Sequence, residues 1–215
     1  MSRRRRWHAP LLLVVLVAVV LLLSWLGERI PVREWGERIG QAGPGGALLL
    51  ILLGALGTSI GLPRQLVALI AGYAYGALAG LPIALAAALS GCALTLFAGR
   101  RWLSSPVTRR YPVQIDWLRR FVRHDAFWKI VVLRLQPLGT NLVSNLAAGV
   151  IRLSPGVFLG ASLVGYVPQT LVFVLIGSGV RVGSSTELVV AAVLAAVSLV
   201  LGGVLWRRHA GGVRS

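Results

Sequence analysis

Arg134, Asn141 and Asn145 are the residues of this 215-residue chain whose types and spacing could act together on a ligand. A guanidinium is a planar donor fork that matches phosphate oxygens. Two asparagines four residues apart share one helix face, and Gln136, Thr140 and Ser144 add neutral hydrogen-bonding groups around them. All lie in residues 129–149, KIVVLRLQPLGTNLVSNLAAG, which is apolar enough for a bilayer. Arginine at that depth marks a pathway, a pair or a hydrated cavity. Pro137 and Gly139 break the backbone there, which is tolerated only where protein or water covers the freed groups. Seventeen residues separate Arg134 from Arg152, barely one spanning length, so the segment reads as one that enters the membrane and turns back. The structural alternative has Arg134 bonding carbonyls freed by Pro137, with Asn145 tying the hairpin to a neighbour.

A second candidate cation is Arg64, which follows the Gly- and hydroxyl-rich stretch Gly57-Thr58-Ser59-Ile60-Gly61-Leu62-Pro63. No charge lies between Arg38 and Arg64, and none again until Arg100. The 35 residues of the second gap would reach about 52 Å as one helix, against a hydrocarbon core of about 30 Å. That run must break, and Gly80-Leu81-Pro82 is the expected place. Three apolar pieces result, 47–62, 65–81 and 83–99. Either all three span, and Arg64 is an inner-face anchor that snorkels to the head groups, or the first two form a hairpin from outside whose polar tip makes Arg64 functional. The hairpin is preferred.

Composition sets the elements that must position these residues. Mean hydropathy is +0.80 and 56% of residues are apolar, while the net charge of +16 comes from arginines clustered between long neutral runs. That is membrane topology rather than a nucleic-acid surface. One cysteine excludes an internal disulfide framework, His8, His124 and His209 have no ligand spacing, and no metal or cofactor is expected. Arg3 to Arg6 precede an apolar run over 11–26 without a small-residue cleavage site, so a retained helix with its N-terminus in the cytoplasm is expected. Glu28 to Gln41 reads as an outer interfacial helix. Residues 100–129 form a basic cytoplasmic belt in which Trp117, Leu118, Phe121 and Val122 interleave with arginines, as in an amphipathic helix on anionic lipid. An outer turn is expected at 181–187. Residues 188–206 read as a last helix and Arg207 and Arg208 return it to the cytoplasm.

The halves echo one another. Pro63, Ala71-Gly72, Pro82, Gly91 and Gly99 have counterparts in Pro137, Ala148-Gly149, Pro155, Gly165 and Gly177. One unit enters from outside and the other from inside, the pattern of inverted repeats with broken helices.

Gly61-Leu62-Pro63, Ala71-Gly72-Tyr73-Ala74-Tyr75-Gly76, Gly80, Gly91 and Phe97-Ala98-Gly99-Arg100 resemble the first half of the DedA-like VTT-domain family, which includes the SNARE-associated Golgi proteins. Arg134-Leu135-Gln136-Pro137, Asn145, Ala148-Gly149, Phe158, Gly165 and Pro168 resemble its second half. The resemblance covers roughly residues 45 to 180. It implies a polytopic protein with two facing re-entrant hairpins, of a family associated with moving phospholipids or undecaprenyl phosphate between leaflets, in some bacterial members with proton motive force. Two features depart from the better-known bacterial branch. Residues 39–63 hold no acidic residue, and Thr140 stands where that branch has a second arginine.

The expectation is therefore an all-α polytopic membrane protein with about four transmembrane helices and two facing re-entrant hairpins in an inverted repeat. An N-terminal transmembrane and interfacial region covers 1–42. The VTT-like membrane domain covers 43–180, with hairpins at 43–82 and 130–152, spans at 83–99 and 154–178 and the basic belt at 100–129. A C-terminal helix and basic tail cover 187–215. Arg134, Arg64, Asn141, Asn145, Thr140 and Gln136 are expected on the translocation path, and Pro63, Gly72, Pro137, Gly149, Gly165 and Pro168 to shape the hairpins. The expected role is a non-enzymatic lipid translocase or scramblase supporting envelope homeostasis in a bacterial inner membrane, with both termini cytoplasmic. Its partners would be anionic lipids, with protons and a second copy of the chain left open. The alternative is a non-transporting scaffold or assembly factor. A lipid phosphatase would need a His/Asp/Glu set that Asp116, His124 and Asp125 do not form.

Overall fold

The computed structural model describes residues 32–135 and 141–182. The expected N-terminal and C-terminal transmembrane helices lie outside the described residues, as do Gln136, Pro137 and Thr140. Among the described residues every regular element is helical: α1 Val32–Gln41, α2 Gly43–Ser59, α3 Arg64–Ala98, α4 Ser104–Arg110, α5 Pro112–Arg123, α6 Ala126–Leu135, α7 Asn141–Val150 and α8 Pro155–Val182. A π-type turn at Gly99–Leu103 joins α3 to α4.

Helix α2 ends where Leu62 N–H bonds the Gly57 carbonyl at 2.8 Å and Gly61 N–H bonds the Thr58 carbonyl at 3.3 Å. Gly61 takes φ +111°, the left-handed position at which helices stop on glycine. Pro63, extended at φ −60° and ψ 119°, then starts α3 back in the opposite direction. The expected break at Gly80-Leu81-Pro82 falls elsewhere. Helix α3 breaks at Gly76, with φ 75° and ψ −177°, a region essentially confined to glycine. Pro82 stays inside the second segment, about one and a half turns past its start, where few hydrogen bonds are lost. Residues 64–75 and 77–98 are thus antiparallel, and a Cβ on Gly80 would lie 2.7 Å from the Ala71 carbonyl. Helix α2 runs parallel to the second segment: Gly54 sits against Ala87, and Thr95 Oγ1 donates to the Ser59 carbonyl at 3.1 Å.

The same plan recurs in reverse. Helices α6 and α7 form the second pair of arms, and α8 runs parallel to α6, with Gly160 facing Phe127 and Gly165 facing Arg134. The basic belt begins as a continuation of the preceding helix through Arg110, and the second hairpin starts at Ala126 rather than 130. The span expected at 154–178 is helical from Pro155 to Val182, so Arg181 is still helical where a turn was expected, and Gly165 and Pro168 lie within that helix rather than in a hairpin.

The two units hold one another through glycines. A Cβ on Gly72 would overlap the Val174 carbonyl, and one on Gly177 the Leu69 carbonyl; one on Gly149 would overlap the Leu96 carbonyl, and one on Gly99 would lie 2.7 Å from the Leu146 carbonyl. Each hairpin's returning arm therefore packs backbone to backbone on the long helix of the other unit, as small residues allow in membrane bundles. Arg64–Arg110 and Pro155–Arg181 are long and apolar enough to cross a bilayer. Leu48, Leu49, Leu52, Leu53 and Leu56 of α2 remain 48–59% exposed, an apolar face that water would not tolerate but lipid covers.

Candidate functional site

The turn between α2 and α3 meets the start of α7 inside the bundle. A cavity of about 240 Å³ lies between them, bordered by Gly61, Arg64, Cys92, Asn141, Asn145 and Tyr166 among others. Gly61 faces Leu142 across it, the added Cβ lying 3.8 Å from Leu142 Cδ2.

Arg134 closes the site from the end of α6 and is 2% exposed. Its Nε donates to Ser162 Oγ at 3.2 Å, Nη1 to Asn141 Oδ1 at 3.0 Å and Ser144 Oγ at 2.9 Å, and Nη2 to Asn145 Oδ1 at 2.6 Å. Every partner is neutral. Helix α7 begins at Asn141, so Asn141, Ser144 and Asn145 share the face turned to α6, and the guanidinium bridges the two arms of the hairpin.

Arg64 heads α3 and is 7% exposed, inside the molecule rather than on the rim where a snorkelling anchor would sit. Its Nη2 donates to Gln169 Oε1 and its Nη1 to Thr170 Oγ1 at 3.4 Å, a long bond. Its Nε is buried with no hydrogen-bond partner among the described residues. The Tyr166 ring serves both cations, its centroid 4.1 Å from Arg64 Cζ and 5.1 Å from Arg134 Cζ, within cation–π range.

No carboxylate among the described residues enters the helices that build this site; Glu34 and Glu37 lie on α1, Asp116 on α5 and Asp125 in the turn before α6. Two buried guanidiniums without a counter-ion among the described residues are costly in low dielectric. An anion entering the cavity would offset that penalty and find unused donors on Arg64.

The fold thus gathers Arg134, Arg64, Asn141 and Asn145, while Gly72, Gly149 and Gly165 lie behind them at helix contacts. Pro63 borders the cavity, and Pro168 lies farther along α8. Sequence reasoning placed none of Ser162, Tyr166, Gln169 and Thr170 at the site. Their signal was present: Ser162, Tyr166, Gln169 and Thr170 recur at i, i+4, i+7 and i+8 in an otherwise apolar helix, one face of α8.

Comparison with known families matches the chain to the VTT domain over residues 62–179, more than half of its length. No curated protein and no solved structure matches the chain.

Proposed function

Because the chain belongs to the VTT-domain family of membrane proteins, we propose that it is a lipid translocase or scramblase whose path runs between the two hairpin ends. The phosphate of an anionic lipid, a phospholipid or undecaprenyl phosphate, occupies the cavity and is held by Arg64. The observation that carries this reading is the pair of buried, carboxylate-free guanidiniums at a cavity where Arg64 Nε has no partner among the described residues.

Helix lengths support a re-entrant placement. Helices α6 and α7 have ten residues each, about 15 Å, half the hydrocarbon core of about 30 Å. Residues 64–75 reach about 18 Å. None of these arms can cross alone. The segments 77–98 and α8 can, and with the N- and C-terminal apolar stretches they give four spans and two hairpins. On this reading the protein is multi-pass in a bacterial inner membrane, its termini and basic belt are cytoplasmic, and it serves envelope homeostasis.

Leaflet exchange of labelled phospholipid and of undecaprenyl phosphate in liposomes tests the reading, with and without a proton gradient. Wild-type exchange that falls at least about tenfold in Arg64→Gln, equivalent to about 1.4 kcal/mol, supports it. Absence of exchange for every lipid in both conditions overturns it. A scaffold is the second reading, favoured by the complete satisfaction of Arg134 by Asn141, Ser144 and Asn145 of its own hairpin with Ser162 and Cys92. Lipid binding without exchange would select it.

A further inference from the structure

A second groove opens at the other end of the second hairpin, far along α7 from the Asn141 end. It has a volume of about 510 Å³ and lies between α5 and the turn that joins α7 to α8. Arg119, Arg120, Arg123 and Arg152 line it against the single carboxylate of Asp116, and Val122, Ile151, Leu153 and Val157 make its floor. Asp116 is paired with Arg119 at 3.2 Å, which leaves three guanidiniums in excess. Helix α5 also carries Trp117 and Phe121, stacked at 5.5 Å and 59% and 45% exposed. Exposed aromatics beside arginines mark the level of lipid head groups.

Arg152 is placed there against backbone preference. Helix α7 ends with Leu153 N–H on the Ala148 carbonyl and Arg152 N–H on the Gly149 carbonyl, both at 3.0 Å. That motif puts Arg152 where glycine is the usual residue, and Arg152 adopts φ +59°. Glycine does fill the equivalent place at the end of α2, as Gly61. The turn itself does not call for arginine; the side chain reaches over to donate from Nε to Ser104 Oγ at 3.3 Å, which leaves both Nη groups beside the groove.

We infer that this groove is a second, interfacial site that takes the phosphate head group of an anionic phospholipid, with the acyl chains leaving over the apolar floor. Charge complementarity selects the anion, and the floor and flanking aromatics select a lipid over a free ion. The site goes beyond the translocation reading and does not depend on lipid being moved.

The test is photocrosslinking of the full-length protein in nanodiscs with a diazirine-labelled phosphatidylglycerol, mapped by peptide mass spectrometry. Labelling should concentrate on 112–126 and 151–157, and should fall at least about tenfold, equivalent to about 1.4 kcal/mol, in Arg123→Gln/Arg152→Gly, which removes two of the guanidiniums. Arg152→Gly relieves the positive φ and gives up one bond to Ser104 Oγ, so the melting temperature should stay close to that of the wild type, and labelling lost at an unchanged melting temperature cannot be ascribed to unfolding. Arg64→Gln should keep these crosslinks. Equal labelling by a phosphatidylcholine probe, unchanged labelling in the double variant, or suppression by millimolar inorganic phosphate as complete as by unlabelled phosphatidylglycerol would each overturn the assignment.

Discussion

The two buried arginines differ in how much of their bonding is already used. Arg134 spends Nε, Nη1 and Nη2 on Ser162, Asn141, Ser144 and Asn145, so its removal orphans several buried polar groups. Each orphan costs about 1–3 kcal/mol. Arg134→Ala should therefore lower stability by about 3 kcal/mol or more, read as a large drop in detergent melting temperature, and Arg134→Lys should restore little because one ammonium cannot span that fork. Arg64 has two partners on α8 and one donor without any among the described residues. Arg64→Gln can still bond Gln169 or Thr170 and should cost about 1 kcal/mol or less while abolishing most lipid exchange. A variant pair with the opposite pattern, exchange intact in Arg64→Gln and stability intact in Arg134→Ala, would reverse the assigned roles.

At the scale of the elements, the position of each break follows from backbone chemistry. Gly76 adopts a conformation other residues resist, so Gly76→Ala should destabilise by about 1–3 kcal/mol. Pro82 lies within a helix, and Pro82→Ala gives that helix back an N–H, so stability should hold or rise. Had the chain turned at Pro82, the order of these two effects would be inverted, and paired thermal melts decide it. The crossing contacts make a similar contrast. Gly72→Val and Gly149→Val push side chains into carbonyls of the opposite unit and should each cost about 1–3 kcal/mol. Gly156→Ala meets nothing within 4 Å and is the control expected to be silent.

At the scale of the whole molecule, the two units run in opposite directions and meet at their hairpin ends. The Gly76 bend and the basic belt therefore lie at opposite ends of the segment 77–98. In oriented vesicles a membrane-impermeant maleimide should label Leu78→Cys and Val113→Cys from opposite sides; both native side chains are exposed, 94% and 73%. Labelling of both from one side would dismantle the spanning assignment of 77–98. Leu62 and Leu142 border the cavity from different hairpins. Tethering Leu62→Cys to Leu142→Cys with a short bifunctional thiol reagent, Cys92 replaced by serine, should stop exchange if lipid passes between the ends. Exchange that persists at full rate in the tethered protein would move the path elsewhere.

The sequence by itself determined the class, the family pattern and most of the cations that count. Long neutral runs punctuated by arginine admit few solutions, because charge and unpaired backbone cannot rest in lipid. The Gly72/Gly149 and Gly91/Gly165 echoes were also legible, since small residues are needed wherever backbones touch. Other features were not. The break at Gly76 was hidden and Gly-Leu-Pro at 80–82 expected in its place, because a proline near the start of a helix loses little and only the φ of the folded chain reveals which glycine turns. The partners of the arginines were hidden as well. Gln169 and Thr170 lie more than 100 residues from Arg64, and Ser162 lies 28 from Arg134. Sequence periodicity reports which face of one helix is polar. Which cation that face meets is decided by how two oppositely directed units pack, and only the tertiary structure holds that information.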